Sequence, residues 1–210
     1  MTKELLILGA GNVGGYLAYN IEEFGGYDIL GFLDDDQAKW NNQCYGISVL
    51  GGIDLISNYS SRKDLCVVVA ISNPLARMSV VNRLRHLDIN FPSFVAKNVW
   101  ISKSVKLGRG IVLYPGVSVN YETAIGDFVV MNMNCAIGHN CIIEAGSTLA
   151  PGVNFAGFTY VEEGAEIGIG VSTRQSVRIG SYSIIGGQSM LLRDVPSKSV
   201  IVGVPGRELR

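Results

Sequence analysis

From residue 101 to residue 191 a hydrophobic side chain returns every six positions. Ile101, Leu107, Leu113, Val119, Ile125, Met131, Ile137, Ile143, Leu149, Phe155, Val161, Ile167, Ile179, Ile185 and Leu191 keep the register, and Thr173 is its one polar member. A helix repeats every 3.6 residues and a simple strand every two, so neither produces this period. Short strands joined by turns do, when they coil so that one side chain per hexad enters a continuous core. The pattern predicts a hexapeptide-repeat parallel β-helix. Small residues mark a second hexad position, at Cys135, Cys141, Ser147, Val153, Thr159 and Ala165, and read as core packing.

The first part of the chain has a different rhythm. Leu5-Leu6-Ile7-Leu8 reads as a buried strand and runs into Gly9-Ala10-Gly11-Asn12-Val13-Gly14. Val13, Leu17, Ile21 and Phe24 then follow helical spacing, and a second strand at 28–33 ends in Asp34-Asp35-Asp36. A G-x-G-x-x-G run thus sits between strand and helix, with acidic residues about 20 positions on. Glycines there let the backbone approach phosphate or sugar, and the helix start favours an anion. The plainer reading, a tight turn and a strand end, suits Asp36 better than Gly11 or Asp35.

A third strand is predicted at 65–71, then a helix opening at Pro74 with Leu75, Met78, Val81 and Leu84 on one face. A short strand near Phe94-Val95 leads into the repeat. This makes half of a doubly wound α/β fold. With the coil starting near Ile101, no room remains for the second mononucleotide half of a dinucleotide domain. A nicotinamide oxidoreductase fits poorly, and a mononucleotide or sugar-nucleotide site fits better. The predicted organisation is a Rossmann-like α/β domain over residues 1–96 and a β-helix over residues 97–210.

Composition trims the choices further. Lys+Arg is 17 and Asp+Glu is 18 in 210 residues, and no basic run marks a nucleic acid or anionic membrane partner. Mean hydropathy is high at +0.28, yet no apolar run approaches the roughly 18 residues of a membrane span. The amino terminus has no signal-peptide pattern, and no membrane insertion is expected. The four cysteines form no C-x-x-C pair. Of the two histidines, His86 reads as a helix-surface residue, whereas His139 lies two positions after inward-pointing Ile137 and faces outward. One outward histidine cannot supply three zinc ligands unless a threefold axis gathers them, so no catalytic metal is expected.

Several of these stretches occur together in a known family. Gly9-Ala10-Gly11, Phe32-Leu33-Asp34-Asp35, Ala70-Ile71-Ser72-Asn73, Ile137-Gly138-His139 and the tail Val202-Gly203-Val204-Pro205-Gly206-Arg207 resemble the sialic acid and bacillosamine-type sugar O-/N-acetyltransferases. The resemblance covers nearly the whole chain. It implies a left-handed parallel β-helix, a homotrimer, and acetyl-CoA bound between neighbouring coils. In such a coil residues 18 apart stack, which sets Gly157 beyond His139. The resemblance further implies His139 as general base with Asn140 beside it, and Thr148, Gly157, Ile169 and Gly187 toward acetyl-CoA. Gly11, Asn12, Val13, Asp34, Asp35, Ser72 and Asn132 would bind a nucleotide-linked amino sugar.

The chain departs from the family at three places. Asn140 stands where an acidic residue usually polarises the histidine, and Glu144 is a possible substitute. Thr148 stands where the bacillosamine enzymes carry a second histidine. Val13 stands where many members carry a loop histidine. N-acetylation of a nucleotide-linked 4-amino sugar is the expected activity. O-acetylation of a sialic acid-type sugar and a non-catalytic binding trimer stay open.

Overall fold

The computed structural model describes residues 2–60, 62 and 64–209. By internal contacts the chain divides into one unit of Met1–Ser72 with Ser79–Ser93, and another of Asn73–Met78 with Phe94–Arg210.

In the first unit, strand β1 (Lys3–Leu8) is followed by helix α1 (Asn12–Phe24) and strand β2 (Tyr27–Leu33). A hairpin of β3 (Gln43–Cys44) and β4 (Ile47–Gly51) comes next, then β5 (Leu65–Val69). The sheet order is β3-β4-β2-β1-β5, with β4, β2, β1 and β5 all parallel. β1 and β5 carry unbroken apolar runs because both faces of a parallel sheet are covered, although β1 is a central strand and β5 the edge. Leu5, Leu6, Ile7, Leu8, Val67 and Val68 are fully buried. The hairpin was not anticipated from the sequence.

Helix α2 (Pro74–Leu84) opens on the proline, whose missing N–H costs nothing in a first turn. Its buried positions are Pro74, Arg77, Val80 and Leu84, while Leu75 is 63 % exposed. The expected face of Leu75, Met78 and Val81 is therefore off by about one position. The cause is Arg77, a charged residue that the apolar pattern passed over and the structure buries completely.

The second unit is the expected left-handed parallel β-helix. Its two-residue strands fall on three faces. The first face begins Phe94–Val95, Val112–Leu113, Val130–Met131, Thr148–Leu149; the second begins Trp100–Ile101, Ser118–Val119, Ala136–Ile137; the third begins Lys106–Leu107, Ala124–Ile125, Ile142–Ile143. Each strand pairs in parallel with the strand 18 residues on, as in Ala136↔Asn154 and Val130↔Thr148. The coil begins earlier than expected, because Phe94–Val95 pairs with Val112–Leu113 and Val95 continues the hexad series backward.

The hexad residues from Leu113 to Leu191 line the core, Thr173 included at 6 % exposure. Each apolar member contributes roughly 1.5–3 kcal/mol by burial. Ile101 is half-buried, and Leu107 is 41 % exposed. It lies in the first turn of the coil, where no preceding third-face strand covers it. The second hexad position is filled as expected: Cys135, Cys141, Ser147, Val153, Thr159 and Ala165 are all fully buried. Burial pushes the Cys135 thiol up to about 11, so it packs as an inert apolar group.

At each corner from Gly110 to Gln188 one residue turns left-handed. On the corner between the second and third faces these are Glu122, Asn140, Phe158 and Ser176, with φ between 55° and 63°. The residue before each of them forms a column held by main-chain bonds: Asn140 N donates to Tyr121 O, Phe158 N to His139 O, and Ser176 N to Gly157 O. The corner between the first and second faces has the parallel column Pro115, Met133, Pro151, Ile169.

Candidate active site

His139 sits in the column between Tyr121 and Gly157, at the end of the second-face strand Ala136–Ile137. Asn140 takes the left-handed turn with φ 55°, a conformation that asparagine enters at low cost. Its side chain turns back so that Oδ1 lies 2.9 Å from His139 Nδ1. With an amide oxygen facing it, Nδ1 is the donor, and in the neutral ring Nε2 then holds the lone pair. Nε2 makes no hydrogen bond among the described residues.

Gly157 explains how the ring fits. A Cβ at this position would lie 2.7 Å from both Cε1 and Nε2 of His139. The glycine is required by the histidine in the adjacent turn of the coil. Gly138 has a separate cause, since a Cβ there would lie 2.7 Å from Gly157 N. Two aromatic rings complete the surroundings. Tyr121 stacks on the imidazole with centroids 5.2 Å apart and planes at 9°, and Phe158 meets it at 5.1 Å and 88°. Neither ring was singled out from the sequence, although Tyr121 lies 18 residues before His139 and Phe158 lies 18 after Asn140. The stacking interval was the signal that would have found them. A groove of about 450 Å³ runs along the second face and reaches Gly138, with Trp100, Ser118 and Asn154 in its walls.

Other expected residues lie apart from His139 within one chain. Asn132 is in the turn before Ala136–Ile137, at the opposite end of that strand, and its Oδ1 accepts from Met133 N. Ile169 is 57 % exposed on the same corner as Asn132. Gly187 follows in that corner, where a Cβ would stand 3.2 Å from Ile169 O. Thr148 points outward from the first face between Val130 and Glu166, and its Oγ1 accepts from Arg77 Nη2 at 2.8 Å. The same Nη2 donates to Gly146 O at 2.7 Å. Burial lowers the Arg77 guanidinium to about 10, with the field of Glu166 acting against the shift, so it stays charged at neutral pH. Thr148 thus anchors the first turn of α2. Glu144, the possible substitute for an acid beside His139, accepts from the Tyr160 hydroxyl and from Glu163 N instead.

In the first unit the glycine motif divides by purpose. Gly9 has φ +102°, and a Cβ there would meet Ile71 at 2.9 Å. A Cβ on Gly14 would stand 2.3 Å from Gly9 O, so this glycine lets α1 lie close to the strand end. A Cβ on Gly11 would meet nothing within 4 Å, and Gly11 has an ordinary extended φ of −105°. The fold does not ask for glycine there. Asn12 is exposed, whereas the Val13 side chain is 5 % exposed, so Val13 can offer a ligand only its backbone. α1 has no acidic residue in its first turn and no side-chain cap.

Asp34 joins the strand ends: it accepts from Ala10 N at 2.7 Å, Asp36 N at 2.9 Å and Lys39 Nζ at 2.9 Å. Burial works to raise its carboxyl, but these donors outweigh it and hold it below the usual range. Asp35 is likewise lowered; burial opposes the shift, and Arg83 and the Ile53 N–H drive it. Asp35, Trp40, Leu50 and Arg83 border a cavity of about 440 Å³. Ser72 is exposed just ahead of α2. No group of three or more potential metal ligands occurs among the described residues. No helix among them is long and apolar enough to cross a membrane.

Residues 4–84 match the family model of the PglD N-terminal domain. This decides the first unit. The first unit is a PglD N-terminal domain, joined to a hexapeptide coil as in the sugar acetyltransferases that the sequence resembles. The expected family and fold class are both borne out. The acetyltransferase domain of PglB from Neisseria gonorrhoeae FA1090 is similar over 99 % of this chain and 100 % of that one, with TM-score 0.90 and 26 % identity. PerB from Caulobacter crescentus, solved in complex with CoA and GDP-perosamine, is similar over 99 % of this chain and 97 % of its own, with TM-score 0.89 and 26 % identity. GDP-perosamine N-acetyltransferase of Escherichia coli O157:H7 is 28 % identical over 147 residues, which are 68 % of this chain and 66 % of that protein. The matches to acyl-[acyl-carrier-protein]–UDP-N-acetylglucosamine O-acyltransferases and serine acetyltransferases span only 40–59 % of those relatives' lengths.

Proposed function

We propose that this chain is an acetyl-CoA-dependent N-acetyltransferase acting on a nucleotide-linked 4-amino sugar in the cytoplasm. The observation that carries this reading is the bare Nε2 of His139, facing the gap left by Gly157 and held by Asn140 on its other nitrogen. The relatives named above for GDP-perosamine N-acetylation and for CoA binding support the choice of substrates.

His139 Nε2 would take the proton that the sugar amine loses as its nitrogen bonds to the thioester carbonyl carbon. As the carbon–sulfur bond breaks, coenzyme A leaves as a thiolate, and the imidazolium returns the proton to it. Gly157 supplies the clearance, and its N–H is suited to receive the developing negative charge on the carbonyl oxygen. In the first unit, open Gly11 and the uncapped start of α1 would hold the phosphates. Asp34 acts through the loop it braces, because its oxygens already serve Ala10, Asp36 and Lys39.

Asn140 favours an amine over a hydroxyl as acceptor. A neutral amine is already nucleophilic, so it needs less from its base than an alcohol does. A neutral amide can orient the imidazole but adds no charge to stabilise the imidazolium. The scatter of the site supports a homotrimer: His139 and Gly157 occupy one corner, while Asn132, Ile169 and Gly187 occupy another. A second copy would bring its first corner against the second corner of its neighbour and close a coenzyme cleft.

The test is coenzyme A release from acetyl-CoA with UDP-, GDP- and dTDP-linked 4-amino sugars, for wild type and His139→Ala. Release with one acceptor, lost in the variant, is the expected result. Release only with hydroxyl acceptors would replace the reading by O-acetylation. Acetyl-CoA binding without release to any acceptor would replace it by a binding trimer.

A further inference from the structure

The ring stacked on His139 has no part in holding the coil together. Tyr121 is 48 % exposed and points away from the apolar core, which is filled from the hexad positions. Its neighbours fix it well nonetheless. Asn120 Oδ1 accepts from Tyr121 N at 2.8 Å, and Tyr121 O accepts from Asn140 N at 2.9 Å. The turn bearing the tyrosine is thereby tied to the turn bearing the histidine and its asparagine. The nearly parallel planes, 9° apart with centroids at 5.2 Å, put the imidazole over the tyrosine π face.

We infer that Tyr121 is a positioning residue for His139, and that its ring face stabilises the imidazolium in place of the carboxylate that Asn140 cannot supply. This rests on His139 as the base. The negative face of an aromatic ring attracts a cation within about 6 Å of its centroid. The groups placed against the imidazole are Tyr121, Asn140, Gly157 and Phe158, and of these Tyr121 alone carries an ionisable group. Nothing in that set brings a negative charge; Phe158 meets the imidazole at 88°, and Tyr121 is the ring stacked parallel on it, so the tyrosine face is the contact assigned to the cationic His139. The ring, not the hydroxyl, is the working part, and phenylalanine should replace it.

The experiment compares wild type, Tyr121→Phe and Tyr121→Leu in two readouts. The first is the pH titration of the histidine C2–H resonances. The chain has two histidines, and His86→Gln assigns them. In Tyr121→Leu the His139 midpoint should fall by at least a few tenths of a pH unit, and in Tyr121→Phe it should stay. The second is steady-state transfer. Tyr121→Leu should lose about tenfold in kcat with KM for acetyl-CoA nearly unchanged, and Tyr121→Phe should keep most of it. An unmoved midpoint in folded Tyr121→Leu overturns the inference, as does a loss in Tyr121→Phe equal to that in Tyr121→Leu. If His139→Ala remains active while the midpoint still moves in Tyr121→Leu, the base assignment fails and the stacking stands.

Discussion

At the residue scale, two glycines show how a missing side chain can be assigned. Gly157 has no Cβ because His139 occupies that space at 2.7 Å. Gly157→Ala should therefore fold and still lose at least about 100-fold in kcat, since a displacement near 1 Å of a reacting group costs that much. Comparison of kcat with an unchanged circular dichroism spectrum checks it. Gly11 and Gly14 make the opposite contrast. Gly14→Ala drives a methyl to 2.3 Å from Gly9 O and should lower Tm clearly. Gly11→Ala meets no protein atom, so it should leave Tm within about 1 °C and weaken nucleotide binding, measured by calorimetry with the nucleoside diphosphate alone. Equal Tm losses in the two variants would make Gly11 a structural glycine. These residues were visible in the sequence as a motif, but the division of labour among them was not. Spacing reports that a glycine is present, and only the atoms around it report why.

At the element scale, the long periodicities were legible and the short or charged ones were not. The hexads ran unbroken over some 90 residues, so register and stacking could be read directly. The β3–β4 hairpin has strands of two and five residues, too short for a pattern to declare itself. The apolar pattern marks helix α2 but not its buried face, because Arg77 satisfies its charge locally on carbonyls and Thr148. Arg77→Met keeps the apolar stem and leaves the Gly146 and Ser147 carbonyls without this donor. A loss of about 2–4 kcal/mol is expected, seen as a fall in Tm of several degrees. Asp34 ties the ends of β1 and β2 in a similar way. Its carboxyl is held below the usual range, so its stabilisation is present above the ordinary aspartate value near 4 and is lost as pH falls through the folded value. Asp34→Asn should melt earlier than wild type at pH 7, and the difference should shrink steadily below about pH 4. A gap that holds constant into acid would place the effect in geometry alone.

At the scale of the whole molecule, the separation of the site over two corners becomes a prediction about assembly. Within one chain, the main-chain columns carry His139 and Gly157 along one corner and Met133 and Ile169 along another. If a cleft forms from the second corner of one copy and the first corner of the next, each active site belongs to two chains. His139→Ala then removes the base, and Ile169→Arg, at an exposed position that should tolerate the change, blocks the coenzyme side. Each variant alone should be nearly inactive, and each should remain trimeric by light scattering. Unfolded together and refolded at equal amounts, they form mixed trimers in which a site has an even chance of drawing each intact half from the right chain. About a quarter of the wild-type activity per site should return, because the two halves come from independent neighbours around a cyclic axis. No recovery from mixed trimers, with both variants folded, would mean that each chain supplies a whole site. The scattered positions would then need an arrangement within one copy that the columns of the coil do not offer.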